Sequence, residues 1–119
     1  MIRAELMLTE QQCELRVEGH ADFDRCGRDI VCAAVSALVA ALADHVEEEA
    51  GCGTKVSAEI RSGHAVVRAG GNRCEAFRLV YRGLCRLSRT YPEHVAVAAS
   101  GESMAWTNRR LSNKEEGTT

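Results

Sequence analysis

From Asp29 to Glu49 the chain reads DIVCAAVSALVAALADHVEEE, a run that is apolar nearly all round until Asp44. A helix of this kind has little wet face of its own, so it is predicted to be buried on more than one side. Its cover must come from the rest of a chain of 119 residues with one proline and 45% apolar residues, a length that supports one compact domain and one core.

The flanking segments have the period of strands. Residues 2–8 alternate Ile2, Ala4, Leu6 and Leu8 with Arg3 and Glu5, and residues 13–17 alternate Cys13, Leu15 and Val17 with Glu14 and Arg16. Two half-buried strands joined through the polar turn TEQQ follow from this pattern. After the helix, Val56, Ala58 and Ile60 share one face, Ser62 and Gly63 make a turn, and AVVRA forms a fourth strand ending at Gly70 and Gly71. Asn72 and Glu75 have capping-box spacing. Cys74, Phe77, Tyr81, Leu84, Leu87 and Tyr91 recur at three- and four-residue intervals, which predicts a second amphipathic helix running to Pro92. HVAVAAS is a short fifth strand. The order β-β-α-β-β-α-β predicts an α+β domain over residues 1–99, with a mostly antiparallel sheet of four to five strands and two helices. Residues 100–119 lack a sustained period and are expected to form a flexible tail.

Charge and cysteine usage narrow the function. A formal charge of −2 exerts no global pull on nucleic acid, so any such contact rests on local patches. The opening MIRAELMLTEQQ, with Arg3 and Glu5, predicts no secretory signal. No run is expected to approach membrane-spanning length, and the expected location is the cytoplasm. Cys13, Cys26, Cys32, Cys52, Cys74 and Cys85 sit among ordinary core residues, so free thiols are expected. With no C-x-x-C and no His pair at helical spacing, neither a metal nor another cofactor is predicted.

The chemistry concentrates in GHADFDRCGRDIVCAAVS, residues 19–36. His20 falls just past the second strand, residues 21–27 form a polar loop, and Asp29 is a good N-cap that places Cys32 in the first helical turn. Unpaired N–H groups and the positive end of the helix dipole favour a thiolate there. His20 can approach from the strand end as base, because a Cys–His pair needs spatial rather than sequence adjacency. Asp29 is read first as a cap, with orientation of His20 as the alternative. Ser36, one turn after Cys32 on the same face, is placed to bond the thiol or the imidazole, although a mid-helix Ser more often bonds back to a carbonyl. His45, His64 and His94 are read as surface residues. Taken alone, Cys32 equally suits small-residue packing in a core.

GHA, a short loop and then GRDIVCAAVSALV resembles the bacterial ribosomal-processing cysteine protease (Prp) family, whose signature is this Gly-His-Ala and Asp-Ile-Val-Cys-Ala-Ala-Val-Ser pair; the element order over residues 1–99 is similar too. The resemblance implies a small homodimer. It implies a cysteine endopeptidase that removes the N-terminal extension of large-subunit ribosomal protein twenty-seven, cutting after an aromatic pair. By the same resemblance Cys32 is the nucleophile and His20 the base, with Asp29 and Ser36 as supporting residues. Cys26 departs from the pattern by placing a second oxidisable thiol near the first. The expected mechanism has helix-start N–H groups, that of Cys32 included, meeting the developing oxyanion. The loop from Ala21 to Gly27 is expected to close over bound peptide. The alternative is a non-catalytic ribosome-assembly or interaction module in which Cys32 only packs.

Arg78, Arg82, Arg86 and Arg89 gather within about a quarter turn of the second helix. They are expected to form a solvated basic face, with Glu47, Glu48 and Glu49 opposite, and contact with ribosomal RNA is the functional alternative.

Overall fold

The structure is a computed structural model that describes residues 1–25, 27–50, 56–70 and 74–101, and of Cys74 the backbone alone. The expected Asn72 cap, Cys26, Cys52 and nearly all of the expected tail lie outside the described residues. The elements are β1 (Ile2–Leu8), β2 (Gln12–Glu18), α1 (Ile30–Glu49), β3 (Val56–Arg61), β4 (His64–Gly70), α2 (Cys74–Thr90) and β5 (Val95–Gly101). They form one five-stranded sheet in the order β3-β4-β2-β1-β5, with the predicted element order and two helices. Every strand pair is antiparallel except β1–β5, which is parallel. That exception follows from connectivity: β5 returns through α2, and a crossover helix brings a strand back in the direction of its neighbour.

Local chemistry sets the register. In the β1–β2 turn the Thr9 hydroxyl accepts the N–H of Gln12 at 3.0 Å, while the Thr9 N–H donates to the Gln12 carbonyl at 2.9 Å. Leu8 therefore faces Cys13, and Leu6 faces Leu15. Ile2, Ala4, Leu6, Leu8, Cys13, Leu15 and Val17 all turn one way and are nearly inaccessible. The opposite face carries a ladder of charged and polar side chains: Glu14 accepts from Arg68 at 2.7 Å and Arg16 at 3.4 Å, and the His64 ring nitrogens lie 3.7 Å from Glu18 and 3.3 Å from Glu59. These polar side chains make that face compatible with water, although Val66, opposite Arg16, is buried among them.

α1 corrects the expectation drawn from its composition. Its buried residues are Val31, Val35, Val39, Leu42, Ala43 and Val46, a single stripe at helical spacing, and not a helix buried on more than one side. Leu38, half-buried beside that stripe, packs where α2 has Gly83; a Cβ there would stand 3.0 Å from the Leu38 Cδ1. Ala33, Ser36, Ala37, Ala40 and Ala41 remain exposed. Alanine makes this tolerable, because it is the best helix former and exposes little apolar area. The expectation that no run reaches membrane-spanning length also needs correcting. α1 has 20 residues and contains an 18-residue window with a mean hydropathy of 1.7, enough to cross a bilayer by length and composition alone, but here its valine stripe packs into the core between the helices and the sheet.

Among the described residues Phe77 on α2 is the largest fully buried side chain, and it joins this stripe to the sheet. Phe77→Ala is expected to lower unfolding free energy by about 3–5 kcal/mol. Arg16→Ala, on the wet face, is expected to cost less than about 1 kcal/mol. Urea denaturation of the two variants separates these outcomes.

Candidate active site

β2 ends at Glu18 and the chain turns sharply at Gly19, whose φ of +97° suits glycine. The Gly19 N–H donates to the Gly63 carbonyl at 2.9 Å, which ties the start of the His20 loop to the β3–β4 turn. Gly63, at φ +72°, lies against the His20 ring: a Cβ there would stand 2.7 Å from His20 Nε2 and 3.1 Å from Cε1. The turn thus needs glycine twice over, for its backbone and for the room it leaves the imidazole.

Asp29 is the N-cap of α1, as expected. Its Oδ1 accepts the Cys32 N–H at 2.8 Å, and its Oδ2 accepts the N–H groups of Phe23 at 3.0 Å and Asp24 at 3.4 Å. Desolvation pushes this carboxyl up. The N–H groups of Cys32, Phe23, Asp24 and Val31 outweigh that and hold it below the usual aspartate value. Among the described residues no hydrogen bond joins Asp29 to His20, so the carboxylate serves the backbone and not the imidazole.

His20, Cys32 and Ser36 open on one cleft of about 390 Å³. His20 and Ser36 are exposed, and Cys32 is half-buried as a free thiol in the first turn of α1. Val35, Ser36 and Val39 continue the cleft along the helix from Cys32, while Ile60, Gly63 and Ala65 of the β3–β4 hairpin form the facing wall. Among the described residues no hydrogen bond links His20, Cys32 and Ser36. Both the imidazole and the thiol line the cleft, and hydrogen bonds in such sites commonly tighten only when substrate is bound.

Two residues of this cleft carried no functional signal in the sequence. Gly63 read only as a turn. Ile60 read as sharing one strand face with Val56 and Ala58, and it is 53% exposed where the hairpin tip borders the cleft. His64, expected at the surface, begins β4, pairs with Glu18 and Glu59, and borders the cleft. His94 is half-buried at the α2–β5 corner, against the expectation of a surface residue, whereas His45 is exposed. Arg86 is exposed, but Arg78, Arg82 and Arg89 are half-buried, so the arginine row is only partly the solvated face expected of it.

The fold is that of a known group of proteins. A family model described as cysteine protease Prp matches residues 1–96. The chain belongs to the Prp family. Among solved structures, the essential ribosomal processing protease Prp from S. aureus, with a covalently linked product peptide, superposes with a TM-score of 0.70 at 19% identity, covering 84% of this chain and 100% of that one. The same S. aureus Prp with a substrate peptide gives 0.61 at 17% identity over 84% and 100%. SMU.848 from Streptococcus mutans gives 0.63 at 25% identity over 86% and 96%. A comparison with curated proteins found no match.

Exposure orders the thiols of this Prp-family chain. Cys13 and Cys85 are buried, and burial pushes the Cys85 thiol up despite the opposing Tyr81 hydroxyl and Arg89 guanidinium. Iodoacetamide at neutral pH is therefore expected to label Cys32 at least about tenfold faster than Cys13 or Cys85, read by peptide mass spectrometry. The cap makes a second prediction. Because the Asp29 pKa is lowered on folding, its contribution is complete above the ordinary value of 3.8 and is lost as pH falls through the lower folded value. The advantage of wild type over Asp29→Ala, about 1 kcal/mol at neutral pH, is expected to shrink on acidification, with Asp29→Asn retaining most of it at neutral pH. Thermal melts across pH check both statements.

Proposed function

We propose that this protein is a cysteine endopeptidase of ribosome maturation, with Cys32 as nucleophile and His20 as its base. One observation carries the proposal: a strand end and the next helix start, joined by one loop, bring the imidazole and the thiol to the same cleft in a Prp-family chain. The substrate we assign is the precursor of large-subunit ribosomal protein twenty-seven, cut after an aromatic pair. The apolar lining from Ile60, Val35, Val39 and Ala65 suits large apolar side chains. The S. aureus Prp structures with substrate and product peptides support a peptide as the ligand class.

In this mechanism His20 takes the Cys32 proton and the thiolate attacks the scissile carbonyl. His20 then protonates the leaving amine, and water releases the acyl-enzyme. The oxyanion donor expected from sequence needs revision, because the Cys32 N–H is already held by Asp29 Oδ1. While the cap is in place the developing oxyanion must take its hydrogen bonds from other groups at the cleft. The same proposal places the enzyme in the cytoplasm as a homodimer, and gives the exposed part of the Arg78, Arg82, Arg86 and Arg89 row to contact with ribosomal RNA.

Cys32→Ala is expected to abolish cleavage of an aromatic-pair precursor peptide and to leave its binding largely intact. His20→Ala is expected to lower kcat by about 10²–10⁴-fold, with the double variant little worse than either single one. Peptide mass spectrometry and a binding titration with the Cys32→Ala protein measure the two effects. Cleavage at the same bond that survives Cys32→Ala would remove the thiol from the mechanism. Binding without cleavage by wild type would point to the non-catalytic assembly module.

A further inference from the structure

The loop between His20 and Asp29 carries Phe23, an aromatic residue 40% exposed to solvent. Its ring is not loose. It stands edge-on to Tyr91, with centroids 5.3 Å apart at 75°, and edge-on to His94, also 5.3 Å apart, at 81°. His94 Nδ1 lies 2.8 Å from the Ala21 carbonyl oxygen. A carbonyl can only accept, so Nδ1 carries the proton and donates it. Ala21 is 1% exposed and adjoins His20 in sequence.

The surface that receives these contacts is itself braced. At the α2–β5 corner the Tyr91 N–H donates to the Leu87 carbonyl at 2.7 Å, and the His94 N–H donates to the Tyr91 carbonyl at 2.9 Å. The Ile2 N–H donates to the His94 carbonyl at 2.8 Å, which joins the corner to the start of β1. A contiguous route therefore runs from the sheet through Tyr91 and His94 to Phe23, from the Phe23 N–H to Asp29 Oδ2, and from Asp29 Oδ1 to the Cys32 N–H. A second branch runs from His94 through Ala21 to the neighbouring His20.

We propose that Phe23, Tyr91 and His94 are positioning residues of the active site, an aromatic clamp that sets the Asp29 carboxylate on Cys32 and the Ala21 backbone beside His20. None of the three lines the cleft. They act by fixing the two ends of one loop, on which the separation of thiol and imidazole depends. Misplacing catalytic groups by about 1 Å from a distant change costs up to about 10²-fold in rate, so such a clamp has a catalytic signature out of proportion to its exposed position.

The test combines a chemical readout at Cys32 with turnover; only the turnover arm rests on the peptidase assignment. Phe23→Ala and His94→Ala are expected to change the pH profile of Cys32 alkylation by iodoacetamide, and to lower kcat on the precursor peptide about tenfold with KM within about twofold. Phe23→Tyr and Tyr91→Phe, which keep the rings, are expected to behave as wild type. Phe23→Ala added to Asp29→Ala is expected to cost little more than Asp29→Ala alone, because the two lie on one route. An unchanged alkylation profile in folded Phe23→Ala protein, or full additivity with Asp29→Ala, would overturn the clamp. Phe23 is on a surface loop, so its truncation leaves the core intact, and a melt of each variant confirms that folded protein is compared. A wild type that cuts no peptide while its Cys32 alkylation follows Phe23 as described would retain the clamp and refute the peptidase.

Discussion

The site hangs on one carboxylate. Asp29 caps α1 with one oxygen and fastens the preceding loop with the other. A helix start leaves several N–H groups unsatisfied, and a negatively charged acceptor at that place satisfies them where the dipole favours it most. The same bond fixes where the thiol sits. Cys32 is the residue whose N–H the cap takes, so its side chain projects from the first turn, at the head of the cleft. The arrangement also engages that N–H, which ties the helix start and the position of the thiol to one atom pair.

The rest of the molecule keeps this pair in place by layering. α1 presses its valine stripe on the sheet, and α2 lies beside it, with Gly83 opposite Leu38. Because β3 and β4 stand at one end of the strand order, the hairpin tip reaches the start of α1 and closes the cleft from the far side. The gap between helix start and hairpin tip leaves Ile60 exposed on a face whose neighbours are covered. The charged ladder on the other side of the sheet has the opposite role. It makes that face compatible with water.

Much of this could be read from the residues. Alternation over residues 2–8 and 13–17 marked β1 and β2, since a strand with one wet face must alternate. Asp29 read correctly as a cap because its position before an apolar run has a local cause. α1 was misread in part. Its composition showed nearly all-round apolarity, but composition does not distinguish a buried alanine from an exposed one, and the alanines of the outer face are exposed. His94 read as a surface residue because its partners, Ala21 and Phe23, are some seventy residues away in sequence.

By itself the sequence determined the elements, their order, the cap and the motif residues His20 and Cys32, because each depends on neighbours within a few positions along the chain. Only the tertiary structure decided that β5 pairs parallel with β1, that Gly63 and Ile60 face the thiol across a cleft, and that the α2–β5 corner grips the His20–Asp29 loop. Those outcomes depend on how α1 and α2 lie across the sheet, which is settled by the fit of one buried face against another and leaves no periodic mark in any single segment.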